Sequence, residues 1–285
     1  MIIKSYAKIN IALNVLGKSE NGMHKIDMIM LPVELHDSLE ITELKLNSDN
    51  YVTLADFTGG GFKYNLATEA LNRILEVGGR KNRFRIVINK NIPISAGLGG
   101  GSSNAAAVLT GIRQMLRLPI SDSALNELAF ELGSDVPFFI YKTPARVTGF
   151  GEKVEKISVK NDYYVLIVKP TKGLSTEKVY QKSDEYNLEV TDIDAVISAL
   201  KEGDDGKLEP LMSNALEKPA FDLLPEVRIL KNELKSMGLK LVLMSGSGSA
   251  VFAMSKDKKI LQKAYQKFEN KYDVELTKVL KGENK

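Results

Sequence analysis

The chain has 285 residues, 44% of them hydrophobic and 26% charged, with a net charge of +3, two histidines and no cysteine. So small a charge argues against a nucleic-acid partner, and the absence of cysteine excludes disulfides and thiolate chemistry and leaves two histidines too few for a zinc site. The opening Met-Ile-Ile-Lys-Ser-Tyr-Ala-Lys lacks the layout of a signal peptide and no apolar run reaches the roughly 18 residues of a membrane span, so a cytoplasmic protein with no membrane contact is expected.

In chain order, Ile3 to Val15 alternates. Ile3, Ala7, Ile9, Ile11, Leu13 and Val15 share one face, and Lys4, Tyr6, Lys8, Asn10 and Asn14 the other, which predicts a half-buried strand. Ser19-Glu20-Asn21-Gly22 predicts a turn. Met28 to Leu35 and Leu39 to Leu46 predict two further strands. Asn65 to Leu75 has helical spacing and ends at Gly78-Gly79. Phe84 to Asn89 predicts a strand running into a glycine-rich loop, and a second helix follows that loop. A third helix is expected from about Ser121 to Leu132, capped by Ser121 or Asp122. Ala145 to Val154 has the pattern of a hairpin around Gly149 and Gly151. The polar stretch Lys156 to Asp162 then suggests a division into domains of residues 1–158 and 159–285. Beyond it come an apolar strand at Tyr163 to Val168, a helix marked by Phe221, Leu224, Val227, Leu230, Leu234 and Met237, and strands at Leu239 to Met244 and Ala250 to Met254. A helix marked by Ile260, Leu261, Ala264, Tyr265 and Phe268 and a last strand at Val274 to Leu280 complete the chain. Strands and helices in both halves, without regular alternation at the start, predict an α+β protein.

The glycine loop is the main chemical signal. Pro93-Ile94-Ser95-Ala96-Gly97-Leu98-Gly99-Gly100-Gly101-Ser102-Ser103 runs directly into Asn104 and a string of alanines. Glycines let backbone N–H groups approach a ligand. A helix N-terminus adds unpaired N–H groups and partial positive charge, which together suit a phosphate. The loop is not a Walker loop, because no Lys-Ser/Thr pair closes it, and its glycines are too bunched for a dinucleotide fingerprint. A plain flexible glycine turn is the alternative.

Three further constellations stand out. Lys8 and Asn10 lie on the polar face of the first strand beside Ala12, where Lys8 is either a solvated strand lysine or a functional cation. Asp135 sits in Gly133-Ser-Asp-Val-Pro-Phe-Phe139, either as a helix cap or as a reactive carboxylate. Met244-Ser-Gly-Ser-Gly-Ser-Ala-Val-Phe252 is either a tight connection or a second ligand loop.

In this order the four constellations resemble the GHMP kinases, from Ala7 to Phe252. The triple glycine, the Gly22-x-His24 pair and Asp135-Val-Pro-Phe-Phe are similar to the branch that phosphorylates the 2-hydroxyl of 4-diphosphocytidyl-2-C-methyl-D-erythritol in the non-mevalonate isoprenoid route. The resemblance implies a two-domain GHMP kinase fold: an N-terminal ribosomal-S5-like domain, a C-terminal ferredoxin-like α/β sandwich, and an active site in the cleft between them. It implies ATP as co-substrate with Mg²⁺, no dedicated protein metal site, and a monomer or homodimer. By that likeness Pro93 to Ser103 wrap the ATP phosphates, and Asn65 and Lys90 lie near the adenine. Lys8 and Asp135 form the catalytic pair, and Asn10, His24, Thr176 and Tyr180 contact the acceptor. The sequence departs from the branch at Met23, commonly Tyr, at Met30, often aromatic, at Asn104, commonly Asp, and at Ser249, frequently Pro. An aromatic at position 23 would stack on cytosine, whereas Met packs on a ring through its polarizable sulfur. A GHMP kinase for a homoserine- or mevalonate-type alcohol, or a nucleotide-binding protein without catalysis, are the alternatives.

Overall fold

The computed structural model describes residues 1–20, 22–54 and 65–282. Asn21, in the expected Ser19–Gly22 turn, lies outside these residues, but both flanks of that turn close: Gly22 N–H donates to Ser19 O (2.9 Å), and the Ser19 amide and hydroxyl both donate to Met23 O. The chain forms two compact units. One holds Met1–Ala7, His36–Ile92 and Gly99–Lys142; the other holds Lys8–Leu35, Pro93–Leu98 and Thr143–Lys285.

Strands β1 (Ile2–Lys18) and β2 (His24–Leu44) contribute residues to both units. Two expectations are corrected here. From Ala7 to Val15, β1 is buried on both faces rather than half-buried, with Lys8, Asn10 and Asn14 no more than 3% exposed. The two strands expected over Met28–Leu46 are one strand, β2, 21 residues long. Its pattern turns polar at His36-Asp37-Ser38, yet the strand continues because Asp37 is satisfied where it stands. Asp37 Oδ1 accepts from the amides of Asn91 and Ile92 (2.8 Å each), and Oδ2 accepts from Lys90 Nζ.

In the first unit, β3 (Tyr51–Leu54), α1 (Leu66–Val77), β4 (Arg83–Asn89), α2 (Gly100–Met115), α3 (Asp122–Leu132) and α4 (Val136–Tyr141) follow. The Ser38–Leu44 half of β2 pairs antiparallel with β4, which pairs parallel with β3. Helix α1 is capped by Asn65 Oδ1, which accepts from Ala67 N–H (3.0 Å), and buries Ala67, Ala70, Leu71, Ile74 and Leu75 on one side. That spacing is the apolar stripe of a 3.6-residue period, and each fully buried Leu or Ile contributes about 1.5–3 kcal/mol. The stripe packs on α2. Within α2, a Cβ on Gly111 would stand 2.4 Å from Ile3 Cδ1, which brings the helix close to the sheet.

The second unit continues with a hairpin of β5 (Ala145–Gly149) and β6 (Lys153–Lys156), then β7 (Tyr164–Lys169), α5 (Thr176–Ser183), α6 (Ile193–Glu202), α7 (Asp205–Leu211) and β8 (Ser213–Asn214). Helices α8 (Glu217–Leu223) and α9 (Pro225–Ser236) lead to β9 (Leu241–Met244), β10 (Val251–Ser255), α10 (Lys258–Phe268) and β11 (Asp273–Lys278). The single helix expected through Phe221 and Met237 is two helices. Leu224 leaves helical geometry at φ −145° and Pro225, lacking an N–H, opens α9 rather than continuing α8. Strands β7, β9, β10 and β11 form an antiparallel sheet of order β11-β7-β10-β9 on which α9 and α10 pack, a ferredoxin-like arrangement. Strand β8 pairs parallel with β1, placing Asn214 opposite Leu13. No helix among the described residues is long and apolar enough to cross a membrane.

Candidate active site

The glycine loop passes from one unit to the other at Leu98–Gly99, so each half is described within its own unit. In the second unit, Pro93–Leu98 lies directly against the Ser245–Ala250 turn. Ser245 Oγ donates to Gly97 O (3.0 Å), and Ala250 N–H donates to Ala96 O (3.1 Å). Gly97 sits at φ +73°, and a Cβ there would stand 2.0 Å from Ser245 O, so only glycine permits this approach. The turn itself is held by Asn214, whose Nδ2 donates to Met244 O (2.9 Å) and Gly246 O (2.8 Å). Asn214 carries no signal in the sequence, because its two acceptors lie about thirty residues away.

Lys8 joins this cluster. Its N–H donates to Leu98 O (3.0 Å) and its Nζ donates to Asn10 Oδ1 (2.6 Å). A Cβ on Gly246 would come within 2.9 Å of Nζ, which places the ammonium against the second glycine turn. Asn10 Nδ2 in turn reaches Met28 Sδ (3.2 Å). A lysine 3% exposed is not a solvated strand lysine, and burying a charge is costly unless it is hydrogen-bonded.

Of the residues expected to contact the acceptor, His24 and Tyr180 come together beyond the end of β1. The His24 ring packs against that of Tyr180 of α5 with centroids 5.0 Å apart and planes tilted by 38°, and His24 Nε2 lies 2.6 Å from Asp184 Oδ1. Lys18 Nζ donates to Asp184 Oδ2 (2.6 Å). The hydrogen bonds from His24 first, and then Lys18, hold the Asp184 carboxyl below the usual carboxylate range. Thr176 Oγ1 is 2.9 Å from Ser247 Oγ, linking α5 to the Ser-Gly-Ser-Gly turn. Met23 is half-buried, but Met30 is wholly buried opposite Ala145 of β5. Met30 is thus part of the sheet interior. A cleft of about 600 Å³ borders the loop at Ile94 and Ser95 and is otherwise lined by Lys169, Thr171, Gly173, Leu174, Ser175 and Asp273. It contains neither Lys8 nor the His24–Tyr180 pair.

In the first unit, Gly99 (φ +71°) sits at the N-cap of α2 with no side-chain cap, and the first turn holds no acidic residue. The amides of Gly100, Gly101 and Ser102 precede the first helical hydrogen bond, from Ser103 N–H to Gly99 O (2.8 Å). Such N–H groups at an uncapped helix end suit an anion. Lys90 Nζ lies 3.1 Å from where a Cβ on Gly100 would be, and it pairs with Asp37. Asn104 is buried and accepts from Ser5 Oγ. Asp135 precedes α4 and is half-buried, and its side chain makes no capping bond, so it does not serve as a conventional helix cap.

Two family matches cover these elements: the GHMP kinases N terminal domain over residues 65–143 and the GHMP kinases C terminal domain over 196–274. The chain is also 38% identical over 267 residues to the 4-diphosphocytidyl-2-C-methyl-D-erythritol kinase of Bacillus subtilis (strain 168), covering 92% of this chain and 90% of that protein. The chain belongs to the 4-diphosphocytidyl-2-C-methyl-D-erythritol kinase family of GHMP kinases. A crystal structure of 4-(cytidine 5'-diphospho)-2C-methyl-D-erythritol kinase superposes on this kinase with a TM-score of 0.82 at 30% identity over the whole of both chains. Homoserine kinase from Cytophaga hutchinsonii, with a TM-score of 0.72 at 18% identity over 98% of this chain and 96% of that one, shares the fold. Membership in this family makes the chain an ATP-dependent phosphotransferase of two-domain GHMP fold.

Proposed function

We propose that this kinase transfers the γ-phosphoryl group of ATP to the 2-hydroxyl of 4-diphosphocytidyl-2-C-methyl-D-erythritol, a step of non-mevalonate isoprenoid precursor synthesis in the cytoplasm. The observation that carries the acceptor assignment is the His24–Tyr180 ring pair, in the same unit as Lys8 and Asn10 and flanked by Thr176. An aromatic surface with a hydrogen-bonding edge suits a pyrimidine base. The two family matches fall on opposite sides of residue 158, which supports domains of 1–158 and 159–285.

In this reading the Pro93–Ser103 loop and the α2 N-terminus hold the phosphates, with Asn65 and Lys90 towards the adenine. As the acceptor oxygen bonds to the γ-phosphorus, the bond to the β–γ bridging oxygen breaks and ADP leaves. A carboxylate is too weak a base to ionise an alcohol beforehand, so Asp135 orients the hydroxyl and takes its proton as the new bond forms. Lys8 offsets charge on the moving phosphoryl group, and Asn10 fixes the ammonium's direction. When bound with ATP, Mg²⁺ neutralises phosphate oxygens. Among the described residues no group of three or more His, Asp or Glu is placed to hold a metal. In this reading any such ion would be carried on the phosphate oxygens of the nucleotide.

The test is a kinase assay with Mg-ATP and a panel of the cytidyl alcohol, homoserine and mevalonate, read by phosphorus NMR. A new phosphomonoester resonance is expected with the cytidyl alcohol. Preferential transfer to either uncytidylated alcohol would overturn the assignment.

A further inference from the structure

We infer that Asp184 is a positioning residue for acceptor recognition: it fixes His24 with hydrogen on Nε2 and leaves the Nδ1 lone pair to accept from the amino group of a cytosine base. The inference rests on the acceptor site proposed above.

Three elements converge on this carboxylate. Lys18 ends β1, His24 begins β2, and Asp184 is the C-cap of α5. Each carboxylate oxygen has its own donor, His24 Nε2 on Oδ1 and Lys18 Nζ on Oδ2, both at 2.6 Å. An ionised carboxylate only accepts hydrogen bonds, so Nε2 must be the donor. The ring is then held at two places, by Asp184 at Nε2 and by Tyr180 against its face at 5.0 Å and a tilt of 38°. The His24 side chain is only 10% exposed, so this orientation is set before any ligand arrives. In a neutral imidazole with hydrogen on Nε2, Nδ1 is an acceptor. Cytosine presents an exocyclic amino donor, whereas uracil carries a carbonyl at the same position and would meet the lone pair with its own. The Lys18–Asp184 pair is too exposed to contribute much stability (45% and 35%), so its geometry is better accounted for by the ring it orients than by folding energy.

The experiment compares the full-length enzyme with Asp184→Ala and Asp184→Asn at pH 8. Three readouts are taken: kcat and KM for the cytidyl alcohol, KM for ATP, and relative turnover of the uridine analogue of the acceptor. Long-range proton–nitrogen NMR reports the His24 tautomer directly, since the chain has two histidines to resolve. In Asp184→Ala the acceptor KM is expected to rise by up to about tenfold, the upper worth of one neutral hydrogen bond, with kcat and ATP KM within about twofold. The cytidine-over-uridine preference should fall with it. Asp184→Asn, whose Oδ1 still accepts from Nε2, should recover most of the KM and the tautomer. An unchanged acceptor KM in an active Asp184→Ala enzyme, or a wild-type His24 carrying hydrogen on Nδ1, would overturn the inference while leaving the kinase assignment intact. Absence of wild-type turnover with the cytidyl alcohol would overturn both.

Discussion

Replacing Asp135 by Asn tests where the acceptor's proton goes. The amide keeps the shape and loses the base, so kcat should fall by about 10²–10⁴, the usual range for a general base. ATP binding, measured by calorimetry, should be retained, because the substitution leaves the phosphate loop intact. Gly97→Ala probes the loop by a different route. Its Cβ would collide with a backbone oxygen at a positive φ, a strain of about 1–3 kcal/mol. A lower melting temperature and a raised KM for ATP are the expected outcome, measured by calorimetry and steady-state kinetics. Individual residues differ in how much of this could be read beforehand. Gly97 announces itself in a run of glycines. Lys8 does not, because alternation along β1 cannot tell a polar face in water from one covered by other chain segments. Asp184 and Asn214 gave no sign at all. Their roles come from groups brought close by folding: His24 is 160 residues from Asp184 in sequence.

At the scale of elements, β2 stays unbroken because Asp37 is buried and fully used. Asp37→Ala would strand two amides and the Lys90 ammonium in a covered site, and breaking a buried ion pair costs about 3–5 kcal/mol. Chemical denaturation should register that loss, and Asp37→Asn a smaller one. Strand β11 offers a pH-dependent counterpart. Burial first, and then the neighbouring Asp273, raise the Glu275 carboxyl above its ordinary value. The folded state therefore holds this proton more tightly than the unfolded state does. Glu275 lowers stability at neutral pH, and that penalty fades as pH falls towards the unfolded value of about 4.3. Glu275→Gln should melt above wild type at pH 7–8, with the gap closing near pH 4. Helices with an apolar stripe and a cap, such as α1 and α3, were legible from spacing and cap chemistry. Where two signals competed, the local one was misleading: the polar His36-Asp37-Ser38 suggested a strand end, and the apolar repeat through Leu224 hid the proline that starts α9.

For the whole molecule, the order of four short motifs identified the fold family more firmly than any element prediction, because phosphate handling constrains residue type and spacing together. The interleaving of segments was not legible. Residues 8–35 and 93–98 cluster with the chain beyond 143, a choice made by contacts distant in sequence. A fragment of residues 1–158 would keep the glycine loop but lose the Ser245–Ala250 turn against which Pro93–Leu98 lies. Such a fragment should not bind a fluorescent ATP analogue at concentrations that saturate the full chain.

The contact between Gly97 and Ser245 also has a meaning in time. It joins residues 148 positions apart, and the ammonium of Lys8 waits for Gly246 across a still longer interval. At about 5–20 residues per second of synthesis, the first strand leaves the ribosome roughly ten to fifty seconds before its glycine turn exists. During that interval a lysine destined for the interior remains hydrated, and the glycine loop lacks the wall that shapes it. The expected outcome is that a nascent chain gains protease resistance from added ATP only after residue 250 has emerged.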